Sequence, residues 1–133
     1  MDVNTLTRIG VVLMPVGPDF ISLQVRDLDI AAAFYEERLG LPRAPASPPG
    51  AVVFATEPIA FAVRELLPDT DLDARQPGLG VAVWVKVDAA QALHDQLTEH
   101  GVRIVIAPFD GPFGRTFAVS DPDGYVITIH DGA

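Results

Sequence analysis

Few side chains in this sequence are equipped for chemistry. His94, His100 and His130 are the only imidazoles among its 133 residues, and there is no cysteine. The missing thiols exclude a disulfide framework, an iron–sulfur cluster, a thiolate zinc site and a cysteine nucleophile. His94 and His100 fall six positions apart in a helical stretch, a spacing that does not bring them onto one face. Both are expected on a solvated helix surface. His130 closes the last apolar run, either as a ligand-touching group or as an incidental strand end. Glu36 and Glu37 lie in an amphipathic segment, and Asp121 and Asp123 in Asp121-Pro122-Asp123-Gly124, a tight-turn sequence. No Ser-His-Asp set and no facing pair of carboxylates stands out. What remains is aromatic surface: the single tryptophan, Trp84, together with Phe20, Phe109 and Phe113. Aromatic rings either stack on planar guests or fill a core. The sequence leaves both roles open for Trp84.

The chemistry must sit on one small domain, or on two very small units sharing a core. Apolar residues make up 49%, enough for a folded interior. Eighteen acidic residues against nine basic give a formal charge of −9, a field that repels phosphate backbones, so no nucleic-acid partner is expected. The acidity serves solubility, or attracts a cationic small molecule if carboxylates reach the site. Residues 1–18 read as an N-terminal arm with one strand, Ile9–Met14, closed by Pro15, Gly17 and Pro18. That run is too short to span a bilayer, and Met1-Asp2-Val3-Asn4 lacks the basic start of a signal peptide. The expectation is a cytoplasmic protein with no membrane partner.

The positioning elements read as one pattern written twice. Residues 19–67 hold a strand at Phe20–Val25, a helix capped by Asp27 and stopped by Gly40, a Pro-rich loop over 42–50 with at most a poor edge strand, and strands at Ala51–Thr56 and Ile59–Leu66. A polar linker, 68–78, follows. Residues 79–133 restart with a strand at Val81–Val87, a helix capped by Asp88 and stopped by Gly101, and strands at Arg103–Pro108, Arg115–Ser120 and Tyr125–His130. Turns fall at Phe109–Gly114 and Asp121–Gly124.

Three segments carry a likeness to a known group. They are Leu23-Gln24-Val25-Arg26-Asp27 through Gly40-Leu41, Trp84-Val85-Lys86-Val87-Asp88 through Gly101-Val102, and Pro112-Phe113-Gly114-Arg115-Thr116-Phe117 through Asp121-Pro122-Asp123-Gly124-Tyr125. Together they span residues 20–131 and resemble the vicinal-oxygen-chelate superfamily, which takes in glyoxalases, dioxygenases and bleomycin-resistance proteins. The resemblance implies an α+β fold of two βαβββ modules forming an open, cup-shaped mixed sheet, usually in a homodimer. Enzymes of the group hold a divalent metal in that cup through His, Gln or Glu on the first and last strands of each module. The matching positions here are Phe20, Ala62, Ala82 and Thr128, none of them a good ligand. No metal and no other cofactor is expected.

Alternation assigns the cup face. It places Phe20, Ser22 and Gln24, then Ala60, Ala62 and Arg64, then Ala82, Trp84 and Lys86, and finally Val126, Thr128 and His130 inside. The turn aromatics Phe109 and Phe113 lie near the mouth. Arg115 and Arg64 hold an anionic group there or pair with surface carboxylates. The expected ligand-contacting set is therefore Phe20, Ser22, Gln24, Ala60, Ala62, Trp84, Lys86, Phe109, Phe113, Arg115, Thr128 and His130, with no catalytic residue among them. Such a lining suits a binding protein that sequesters a cationic drug of the bleomycin kind, or a flat polyketide-like or enediyne-type compound, as in antibiotic self-resistance. The alternatives are a metal-independent lyase, isomerase or cyclase, and a structural or regulatory dimer without a small-molecule ligand.

Overall fold

Strand β1, Phe20–Val25, carries its alternation into space: Leu23 and Val25 are buried, while Phe20 and Ser22 are exposed. The computed structural model describes residues 15–132, so the strand expected at Ile9–Met14 lies outside the described residues. Helix α1, Leu28–Ala33, starts where expected, with the Asp27 carboxylate accepting the Ile30 N–H at 3.0 Å. It continues into a π turn, Phe34–Arg38, closed by the Leu39 N–H on the Phe34 carbonyl at 3.2 Å. The wider turn lets the consecutive rings of Phe34 and Tyr35 both be buried. Gly40, at φ +72°, ends the segment in the left-handed region.

The chain returns through residues 42–50, which pair with the sheet by an isolated bridge between Arg43 and Phe54 and also accept single bonds, from the Val53 N–H to Ser47 Oγ and from the Glu65 N–H to the Gly50 carbonyl, each at 2.9 Å. Prolines at 42, 45, 48 and 49 remove the N–H groups a ladder would need. Strands β2, Ala51–Phe54, and β3, Ala60–Glu65, complete a three-stranded sheet in the order β1-β3-β2, with β1 and β3 parallel. The second unit repeats the winding with β4, Val83–Lys86; α2, Ala90–Glu99; β5, Ile104–Gly111; β6, Gly114–Ser120; and β7, Val126–His130. Its order is β4-β7-β6-β5, with β4 and β7 parallel. The α+β class is as expected, and the second unit has the expected βαβββ order, while the first is βαββ, with three strands in its sheet. The sheet is not continuous within the chain: it is two sheets, of three and four strands.

Two local expectations are corrected. Asp88 does not cap α2; Ala89 occupies the cap position, and the Ala90 N–H is taken by Oδ2 of Asp131 at 3.0 Å. The region around Phe109 is not a turn, because β5 runs to Gly111. Register shifts between Ile104 and Ile106, and between Ile106 and Phe109, break the period-two pattern that would have revealed it.

One hydrophobic core joins the units, with Leu23, Tyr35, Phe54 and Phe61 from the first and Leu97, Phe117, Ile127 and Ile129 from the second. The Asp121–Gly124 turn locks this seam. The Tyr35 hydroxyl donates to Asp121 Oδ2 at 2.7 Å, the Arg26 N–H to Asp123 Oδ1 at 2.9 Å, and the Tyr125 hydroxyl to the Gln24 carbonyl at 2.7 Å. Burial pushes the Asp121 carboxyl above its ordinary range, against the Tyr35 hydrogen bond. Burial, reinforced by Asp121, likewise pushes the Tyr35 hydroxyl well up. Among the described residues, no helix is long and apolar enough to cross a membrane.

Candidate functional site

The face turned away from the helices carries the open aromatic surface. On the second sheet Trp84 stands level with Thr128, Lys86 with His130, Thr116 with His130 and Ala118 with Thr128; the register continues to Phe109 beside Thr116. Side chains level with one another across a ladder share a face. Trp84 is 50% exposed, which removes the core-filling reading and leaves its ring available. Phe109 and Phe113 are similarly open.

Three rings from distant segments meet here. Trp84 and Phe113 lie 5.6 Å apart at 76°, Trp84 and His130 5.8 Å at 64°, and Phe113 and His130 6.1 Å at 65°. Each pair is edge-to-face, the geometry favoured by ring quadrupoles. The end of β7 holds them in place. Asp131 Oδ1 accepts the Arg115 N–H at 2.9 Å while its other oxygen serves Ala90, and these N–H groups hold the carboxyl below its ordinary range. The Gly132 N–H donates to the Phe113 carbonyl at 2.7 Å. A Cβ on Gly132 would collide with the Phe113 backbone, so this close return needs glycine.

Two crevices separate the sheets, and Ile21, Val83 and Ile127 line both. The first, about 510 Å³, opens beside Trp84 and Lys86 and is walled by Leu41, Glu57, Ala60 and Phe61. The second, about 540 Å³, is bordered by Ser22, Gln24, Arg64, Leu67 and Val126. Both follow the edges of β1 and β4, neither of which has a second strand neighbour among the described residues.

The expected contact set is thus divided. Trp84, Lys86, Phe109, Phe113, Thr128 and His130 gather at the second sheet's open face, and Ala60 lies in the adjoining crevice. Ser22 and Gln24 border the other crevice, and Gln24 Oε1 is already occupied by the Leu67 N–H at 2.8 Å. Phe20 is exposed at the start of β1, and Ala62 is buried. Arg115 is not brought to this face. It shares its phase with Phe117 and Val119, donates from Nε to Gln91 on α2 at 3.0 Å, and pairs with Asp110 at 3.1 Å. Alternation read backwards from Phe117 would have revealed this. The same count would have placed Ala118 on the open face, where it is level with Ile106.

The donor set does not fit a divalent cation. Phe20, Ala62, Ala82 and Thr128 offer phenyl, methyl and hydroxyl groups. In the observed register Ala62 stands level with Ser22, and Thr128 with Trp84, so the partners facing these two positions across the ladders are poor ligands as well. Among the described residues, no three His, Cys, Asp or Glu side chains cluster as a metal site.

Fold and site together define a class. The model of the Glyoxalase/Bleomycin resistance protein/Dioxygenase superfamily matches residues 17–129, and the chain belongs to that superfamily. Among solved structures it is similar to TnmS3, an antibiotic binding protein from Streptomyces sp. CB03234, with TM-score 0.72 and 24% identity over 91% of this chain and 100% of that one. It is also similar to a glyoxalase/bleomycin resistance protein from Streptomyces sp. CB03234, with TM-score 0.68 and 26% identity over 86% of this chain and 100% of the other. UcmS2 aligns at TM-score 0.72 and 24% identity, covering 90% of this chain and all, 100%, of its own. No curated protein matches in sequence.

Proposed function

We propose that this chain is a non-catalytic binding protein that sequesters a bulky aromatic or cationic natural product, in the service of antibiotic self-resistance. The observation that carries this reading is the half-exposed Trp84, edge-packed against Phe113 and His130, at the mouth of a crevice of about 510 Å³. A concave site of that volume lined by apolar and aromatic groups, with a few polar tips, is the usual form of a small-molecule pocket. Ring faces stack on flat guests and attract cations alike, and the net charge of −9 favours a cationic one. The residues at the superfamily's metal positions supply no Lewis acid of the kind its enzymes use. The description of TnmS3 as an antibiotic binding protein points the same way. Protection would then be stoichiometric, by mass action, and we place the protein in the cytoplasm as a homodimer.

Titration with planar natural products, both cationic and neutral, tests this reading through Trp84 emission and thermal midpoint. A true ligand at a hundred times its Kd adds about 2.7 kcal/mol to stability. Trp84→Ala should weaken binding about ten-fold or more, with little loss of stability because the ring is half exposed. The proposal fails if no compound moves either signal, or if a bound compound is turned over.

A further inference from the structure

His130 Nδ1 lies 3.2 Å from the carbonyl oxygen of Phe113. A carbonyl only accepts, so Nδ1 is the donor here, and Nε2 is the ring nitrogen left to accept. The same carbonyl is fixed by the Gly132 N–H at 2.7 Å, so the backbone sets the tautomer. Nε2 has no partner among the described residues. The groups flanking His130 in register are Thr116 and Lys86. The Thr116 hydroxyl is spent on the Gly114 carbonyl at 3.0 Å. The Lys86 ammonium makes no hydrogen bond to the ring, and the neighbouring Asp131 carboxylate is committed to the N–H groups of Ala90 and Arg115. The remaining neighbours are the rings of Trp84 and Phe113.

We infer that His130 is the specificity-determining residue of this site, its Nε2 accepting a hydrogen bond from a ring hydroxyl of the guest. The inference rests on the binding reading above and narrows it to hydroxylated aryl compounds. A flat guest laid against Trp84 strips water from the neighbouring acceptor. An acceptor covered without a partner is penalised. A hydroxyl on the guest's edge satisfies it, whereas an ether in the same place cannot donate.

The single tryptophan gives one indole N–H signal in a nitrogen–proton correlation spectrum, a reporter inside the site. Titrating the full chain with 2-naphthol and with 2-methoxynaphthalene should move that signal, with the phenol binding about ten-fold more tightly. His130→Phe keeps an aromatic edge and removes the acceptor, so the two compounds should bind it equally. His130→Gln retains an acceptor oxygen and should keep a preference for the phenol. Equal affinities in the unaltered protein, or a preference that survives in His130→Phe, overturn the inference and leave the binding reading standing. If neither compound moves the indole signal, this inference falls, and the titrations with larger planar natural products decide the binding reading separately. Should His130→Phe not fold, the paired titrations of the unaltered protein and His130→Gln still decide.

Discussion

Replacing Tyr35 with phenylalanine removes one oxygen from the seam between the modules and little else. Tyr35 is 1% exposed and Asp121 4%, so neither recovers water when their bond is lost. Asp121 Oδ1 keeps the N–H groups of Asp123 and Tyr125, each at 2.9 Å, but Oδ2 is left without its 2.7 Å donor. A hydrogen bond to a charged group contributes about 1.5–3 kcal/mol, and stranding the charged partner places the loss in the upper half of that range, about 2–3 kcal/mol. For a domain of this size, that lowers the thermal midpoint by roughly 6–15 °C. The loss also depends on pH. Burial raises the folded-state pKa of Asp121, and the Tyr35 hydroxyl is the largest opposing influence. A carboxyl whose folded pKa lies above its unfolded value binds protons more readily in the native state. Its contribution to stability therefore falls as pH rises from the ordinary carboxylate range through the raised value, then levels off. Tyr35→Phe raises the folded pKa further and deepens that fall. The gap between the two proteins should be full well above the ordinary carboxylate range and narrow as the pH falls into it. Urea unfolding followed by circular dichroism from neutral pH down into that range measures it. A gap below about 0.5 kcal/mol at neutral pH, or one that does not change with pH, refutes the account.

Two further outcomes follow from the same geometry. Gly114→Ala should destabilise by at least about 2 kcal/mol, because Gly114 sits at φ +86° and an added Cβ would lie 2.6 Å from Asp131 Oδ1 and 2.7 Å from the Gly132 nitrogen. Trp84 emission should change with it, since the turn carries Phe113, and a variant of unaltered stability would contradict the described hairpin. Prolonged dialysis against a chelator should leave the thermal midpoint within about 1 °C and aryl binding intact, since Phe20, Ala62, Ala82 and Thr128 offer no donor set for a divalent ion. A midpoint that falls on dialysis and recovers with manganese, nickel or zinc would reverse that conclusion.

What was legible in the sequence is what neighbours along the chain decide. The alternation of β1, the Asp27 cap and the stop at Gly40 depend on residues within a few positions of one another, and each is found where it was read. Asp88 failed as a cap because Asp131, from the far end of the second module, reaches the same N–H. β5 was cut short because its bulges shift the phase of alternation while the pairing to β6 persists. Arg115 leaves the expected contact set because, as a residue of β6, it takes its face from the phase of Phe117 and not from the neighbouring turn aromatics.

The open aromatic face combines both kinds of information. Trp84 and His130 could be assigned to it by counting along their strands, but nothing local to either says that Phe113 packs against both. That contact depends on Asp131 and Gly132, which fold the chain end back onto the hairpin turn and fix the Phe113 carbonyl beside the His130 ring. A single carboxylate thereby caps α2, anchors the hairpin and orients the ring cluster. The aromatic residues supply the surface, and these two polar and small residues at the chain end determine its shape.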